Sequence, residues 1–180
     1  MKQGTNRPEI LWCPKGTGAR SGKNGWAFPR NVEWLLQQAT FGKRVLHLFG
    51  GRAQWGLSMD IDPATRPHVV ADAWLPPFAA GSFDVVILDP PYMSIPVELR
   101  IGLFCAAGFI ADESIWWFNT LWIATPPGMR LAESWLVRAG ENSQVRCLQH
   151  LFLTRRFAPP LAMRRGPGRK YLRWIEAAKP

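Results

Sequence analysis

The sequence predicts a three-layer αβα sandwich, with a mostly parallel sheet and an antiparallel terminal hairpin. Three observations carry this. Four short apolar runs, "RVLHLF" (44–49), "LSMDI" (57–61), "HVVAD" (68–72) and "FDVVILD" (83–89), succeed one another between turns. They are near-continuous rather than alternating, the pattern of strands buried on both faces. Helical periodicity precedes and follows them. The chain has 180 residues, 47% of them hydrophobic, which suits a single globular domain over residues 1–180.

The elements follow in order. Residues 1–25 are rich in Gly, Lys, Arg, Asn and Pro and read as a mobile basic segment, with "KGTGARSGKNG" (15–25) its most loop-like part. A helix is expected over 30–39, where Val32, Leu35, Leu36 and Ala39 share one face. The four strands come next. "AQWG" leaves little room for a helix between the first two. Residues 96–109 look helical. A second helix is expected to begin in "DESIWWFN" (112–119) with Asp112 as its N-cap. "TLWIAT" (120–125) reads as a fifth strand. "MRLAESWLVRAG" (129–140) reads as an amphipathic helix with a glycine stop. "QVRCLQHLFL" (144–153) and "KYLRWIEA" (170–177) alternate as strands do, and form the terminal hairpin across a basic loop at 154–169.

The net charge of +9 is unevenly spread. Residues 1–44 hold eight basic and two acidic residues, 45–150 six and ten, and 151–180 eight and one. Two basic ends around an acidic middle suit a polyanion partner. The expected partner is nucleic acid. The grip is expected from Lys15 and Lys23 in the N-terminal loop and from Arg155, Arg156, Arg164, Arg165, Arg169 and Lys170 in the second. The longest apolar runs, at 101–110 and 114–124, are too short or too interrupted to span a bilayer. The first residues lack an apolar signal-peptide core, so no membrane and a cytoplasmic setting are expected. Cys13, Cys105 and Cys147 are too few and too far apart for a disulfide framework or a zinc cluster, and no metal is expected.

In an open parallel sheet, ligands bind beyond the carboxyl ends of the strands. Those ends here carry Phe49, Gly50 and Gly51, then Asp60 and Asp62, then Asp72, Ala73 and Trp74, then Asp89, Pro90, Pro91 and Tyr92. Glycines admit close approach of a ligand to the backbone. An acid at the second strand end suits ribose hydroxyls. An acid at the third can accept from an adenine amino group. Each feature also has a plain reading: Gly-Gly as a turn, and Asp62 before Pro63 as a turn former. Asp84 falls at a strand start on the far side. No phosphate-binding loop is present, because "GGRAQWG" fits neither glycine-rich pattern. An adenosine carrier without phosphates fits better than a nucleoside triphosphate or NAD.

Together, "VLHLFGG", "SMDID", "VVADAWLPPF" and "FDVVILDPPY" resemble the class I S-adenosylmethionine-dependent methyltransferases, whose fold is Rossmann-like. Within them, "DPPY" is similar to the motif of the amino-methyltransferases that act on exocyclic amines. The resemblance covers about residues 26–92. It implies S-adenosylmethionine as cofactor, with S-adenosylhomocysteine as product. It implies cofactor contacts from Phe28, Pro29, His47, Phe49, Gly50, Gly51, Asp60, Ile61, Asp72, Ala73, Trp74 and Asp89. It implies catalysis by Asp89, Pro90, Pro91 and Tyr92. The order of motifs resembles DNA N6-adenine methyltransferases, so DNA is favoured over RNA. Two positions depart from the family: His47 replaces an acid that often meets the cofactor's ammonium, and Ala53 replaces a second glycine.

The motif suits its chemistry. The lone pair of a base amine is delocalised into the ring. Two acceptors, the Asp89 carboxylate and the Pro90 carbonyl, orient the amine, and preorganised dipoles do the rest. Tyr92 offers a face for a base to stack on, worth about 1–3 kcal/mol. A base in a duplex would have to be flipped out. Two further readings stay open: an rRNA or tRNA base methyltransferase, and a silent homologue that binds nucleic acid as a partner subunit. A monomer and a homodimer are both compatible with the sequence.

Overall fold

The computed structural model describes residues 9–12, 28–51, 53, 55–90, 97–118, 125, 128–138 and 145–157. Its elements are β1 (Glu9–Trp12), α1 (Arg30–Ala39), β2 (Val45–Leu48), β3 (Leu57–Asp60), β4 (Val69–Val70), β5 (Phe83–Leu88), α2 (Val97–Ile110), β6 (Ala111–Phe118), β7 (Met129–Arg138) and β8 (Val145–Leu153). The strands form one sheet in the order β1-β7-β8-β6-β5-β2-β3-β4. All pairings are parallel except those of β8, which runs antiparallel to both β6 and β7. The three-layer α/β architecture expected from the sequence is the one observed.

Strand alternation divides the core into two. Val45, Val85, Ile87, Ile115, Trp117 and Leu148 pack with Val32 and Leu36 of α1. Leu46, Leu48, Val86, Leu88, Trp116 and Leu151 pack with Leu103, Phe104, Ala107 and Ile110 of α2 on the other side. Phe104 stacks on Trp116 at 3.9 Å between ring centroids. No side chain caps the N-terminus of α1 at Pro29, so the helix is held by its apolar stripe. Burying a side chain such as Val32 or Leu36 contributes about 1.5–3 kcal/mol, more than a cap would.

The crossovers beyond β2 are short. No helix lies among the described residues between β2 and β3, as the "AQWG" spacing implies. A single 3-10 turn, Pro63–Thr65, stands between β3 and β4. Asp62 opens it by accepting from the Ala64 N–H at 2.9 Å, the turn-forming role expected of it. Asp84 pairs with Arg44 at 2.7 Å at the amino-terminal edge of the sheet.

Four expectations are corrected. Residues 112–119 do not open a helix, because 111–118 are strand β6. Ser114 and Trp116 bury on the α2 side while Ile115 and Trp117 bury on the α1 side, so side chains on both faces of the strand find a core. That satisfies bulky aromatic residues better than one helical stripe would. Residues 129–138 are also a strand, β7. A register irregularity between Leu131 and Glu133 shifts its alternation by one residue. Met129, Leu131 and Leu136 therefore face one core and Trp135 and Val137 the other, a spacing that imitates a helix. The antiparallel pair is β7 with β8, and the other edge of β8 is taken by β6; the expected partner strand at 170–177 lies outside the described residues together with most of 120–125. Finally, residues 9–12 of the expected mobile segment form β1, paired parallel to β7 at the sheet edge.

Candidate functional site

The carboxyl ends of β2, β3, β4 and β5 meet at one edge of the sheet. Leu48 pairs with Met59 on one side and with Leu88 on the other, so β2 lies between the two halves where the strand order reverses. The N-terminus of α1 reaches the same edge: the Phe28 ring meets Trp117 of β6 edge-on at 5.7 Å. Pro29 is buried beside it.

After β2 the chain turns sharply. Phe49 has φ 59°, in the left-handed region that aromatic residues rarely enter. Its ring meets Trp74 edge-on at 5.9 Å, which joins the first and third strand ends. The Gly50 N–H donates to the Met59 carbonyl at 3.2 Å. A Cβ on Gly50 would lie 2.8 Å from the Ser58 Cβ and 3.2 Å from the His47 Cβ. Close packing of β2 on β3 thus requires this glycine, independently of any ligand. Gly51 follows at φ 47°. Ala53, which replaces the second glycine, closes the turn by donating to the Gly50 carbonyl at 2.8 Å.

Asp60 ends β3. Burial raises its carboxyl above the usual range, while N–H groups of Asp62, Gly51 and Ile61 pull it back. Ile61 beside it is 46% exposed, an apolar face at the edge next to an acid. The Asp60 carbonyl accepts from the Ala71 N–H at 3.0 Å, which brings the 71–74 segment to the same place. There Asp72 accepts from the Trp74 N–H at 2.9 Å, and burial also raises its carboxyl. Ala73 is buried in the core.

His47 is buried on the α1 side of β2, with its ring edge-on to Trp55 at 4.5 Å. Burial lowers it to about 4, so it is neutral at pH 7; a hydrogen bond with the Trp55 backbone opposes the shift. Its Nε2 has no partner among the described residues. An acid at this position would bring a negative charge; His47 brings none.

Asp89 follows β5, and the alternation that turns Val85 and Ile87 toward α1 carries it to that side. Burial pushes its carboxyl up to about 8, opposed by the positive charge of Arg146. Pro90 is buried. Pro91 and Tyr92 lie outside the described residues. The raised Asp89 has a consequence for stability. In the unfolded chain the carboxyl loses its proton near pH 4. In the folded chain it keeps the proton up to about 8. Between those values the folded state binds more protons, so Asp89 opposes folding increasingly as pH rises, and the effect levels off above 8. Asp89→Asn removes this dependence. Its melting temperature should gain on the wild type between pH 5 and pH 8, by about 2–4 °C for each kcal/mol recovered. Thermal melts across that range check this, and an offset independent of pH would contradict it.

Sequence reasoning missed Arg146 and Trp117. Arg146 opens β8, which runs in reverse, so its first residues lie at the carboxyl edge of the parallel strands. Its guanidinium carbon lies 5.6 Å from the centre of the Trp117 ring. The signal in the sequence was a single cation near the start of an alternating run.

Of the second basic cluster, only Arg155 and Arg156 are among the described residues, and they lie away from the carboxyl ends of the strands. Because β8 is reversed, Arg155 and Arg156 emerge at the opposite, amino-terminal edge of the sheet. Arg156 pairs with Asp112 and donates to the Phe109 carbonyl. Phe157 is seated against Gly108, where an added Cβ would lie 2.2 Å from its ring. Arg156 is therefore a structural clasp. Lys15, Lys23, Arg164, Arg165, Arg169 and Lys170 lie outside the described residues. Among the described residues no cluster of His, Cys, Asp or Glu could hold a metal ion, and no helix is long and apolar enough to cross a membrane.

No protein-family model matches the chain, and no curated protein matches it. Solved structures do. A Pyrococcus horikoshii protein assigned as an RNA methyltransferase superposes with a TM-score of 0.54 at 13% identity, covering 71% of this chain and 85% of its own. The N-methyltransferase NodS from Bradyrhizobium japonicum gives 0.53 at 10% identity, covering 70% and 96%. Magnesium protoporphyrin IX methyltransferase from Synechocystis, solved with bound S-adenosylmethionine, gives 0.51 at 15% identity, covering 68% and 76%. What is shared at such identities is the fold, a Rossmann-like three-layer α/β sandwich.

Proposed function

We propose that the chain transfers the methyl group of S-adenosylmethionine to the N6 amine of adenine in nucleic acid, with DNA as the favoured polymer. The observation that carries this reading is the placement of Asp89 and Pro90 at the end of β5, beside strand ends that suit an adenosine. Asp60 offers a carboxylate for ribose hydroxyls, and exposed Ile61 offers a flat apolar contact for a base. Gly51 leaves its backbone approachable. Phe49 is held in a backbone conformation that costs free energy, a feature that clusters at ligand sites. The bound cofactor supplies an electrophilic methyl group on a sulfonium.

The chain's own residues do the rest. Ionised Asp89 accepts one N–H of the target amine and the Pro90 carbonyl accepts the other. Methylation makes the amine acidic, and the Asp89 carboxylate is the nearest base to hold the released proton. A carboxyl raised to about 8 suits that task at neutral pH. The value of about 8 already includes the pull of Arg146; a positive charge on a bound cofactor would favour the ionised form of Asp89 further.

RNA is the second reading, favoured by the likeness to the protein assigned as an RNA methyltransferase. Calorimetry with S-adenosylmethionine and S-adenosylhomocysteine, with and without DNA, separates either enzyme from a silent binding partner. Heat of binding is expected for both ligands. Its absence under all conditions would sink the enzyme reading.

A further inference from the structure

We infer that Arg146 is a phosphate-binding residue of the substrate site, holding the backbone phosphate that flanks the target nucleotide. This rests on the nucleic-acid reading above. Three elements converge on it. Asp89 extends β5, Trp117 lies near the end of β6, and Arg146 lies near the start of the reversed β8. The β6 and β8 registers bring these ends together, since Trp117 pairs with Leu148 and Phe118 with Cys147. Trp117 and Leu148 share the α1-side core, and alternation along β8 places Arg146 on that same side, one step nearer the edge. Its guanidinium lies over the Trp117 ring, whose edge-on neighbour is Phe28. The aromatic floor fixes the planar cation without neutralising it.

Arg146 differs from the cations that are tied to acids. Lys43, Arg44 and Arg156 are each tied to a carboxylate. Arg146 is half-buried and takes part in no ion pair among the described residues. Its positive charge reaches Asp89. Yet Asp89 is the residue that must meet the amine, and a direct salt bridge would occupy the acceptor. Among the described residues no carboxylate pairs with its donors, and it lies close to where a base amine would rest. A guanidinium fork matches phosphate geometry. A nucleotide entering base-first brings its phosphates to the rim of the lip, within the zone of this side chain.

The test uses an adenine-containing single-stranded oligonucleotide that the wild type methylates, and a copy in which the linkages flanking the target adenine are neutral methylphosphonates. Binding is read by fluorescence anisotropy, with S-adenosylhomocysteine present. Wild type should bind the charged copy about tenfold more tightly than the neutral one, the scale of one charge-assisted hydrogen bond. Arg146→Gln should bind both with the affinity wild type shows for the neutral copy, and Arg146→Lys should keep part of the preference. Affinity for S-adenosylhomocysteine alone should stay unchanged in Arg146→Gln. Two results would overturn the assignment. One is an Arg146→Gln variant that still prefers the charged copy by the same factor. The other is a tenfold loss of S-adenosylhomocysteine binding, which would assign the cation to the cofactor's carboxylate. If no oligonucleotide is methylated at all, the broader reading fails first, and that outcome is distinct from both.

Discussion

Replacing Asp89 with alanine is expected to abolish methyl transfer while leaving cofactor affinity nearly intact. A single preorganised group at a reacting centre is worth about 10²–10³ in rate, and loss of the proton acceptor adds to that. The side chain sits beyond the end of β5, where burial has already raised it to about 8, so its removal does not strip the fold of a favourable charge. Stability should therefore hold or improve at pH 8, which separates lost chemistry from lost structure. Single-turnover assays at saturating cofactor and nucleic acid read the chemical step. An active Asp89→Ala enzyme would mean that another residue orients the amine.

Asp60→Ala is expected to weaken S-adenosylhomocysteine binding by about tenfold to a hundredfold, the scale of lost hydrogen bonds to a charged acceptor. Asp60 also accepts from the backbone N–H of Asp62 at 2.9 Å, so its removal loosens the local loop as well. Two controls separate these effects. Asp60→Asn keeps an acceptor and should retain part of the affinity. An analogue lacking the ribose 3′-hydroxyl should lose affinity for the wild type but lose little more for Asp60→Ala. Equal losses for both proteins would place the ribose elsewhere.

The layer architecture could be read from the sequence because its strands of 44–49, 57–61 and 83–89 are continuous apolar runs, which only a two-sided core explains. The strand ends that carry the candidate site could be placed because their ordered series, Gly51, Asp60, Asp72 and Asp89, follows directly from that assignment. The strands at 111–118 and 129–138 were less legible. In β6 both faces are apolar, so alternation is invisible and Asp112 imitates a helix cap. In β7 the register irregularity after Leu131 breaks the period of two. Misreading these two strands hid the direction of β8, and with it the position of every cation that β8 carries. Arg146 comes to the carboxyl edge of the parallel strands and Arg156 to the far edge for that one reason. Local pattern fixes what a strand is, but only the pairing fixes which of its ends faces the ligand.

The most direct test of the central claim is methyl transfer itself. Purified protein is incubated with isotopically labelled S-adenosylmethionine and, separately, adenine-containing DNA and RNA, followed by digestion and nucleoside analysis. The reading of Asp89, Pro90 and the adjoining strand ends predicts label in N6-methyladenine, with DNA the better acceptor. Label only in a different base, or on a ring carbon, would contradict it.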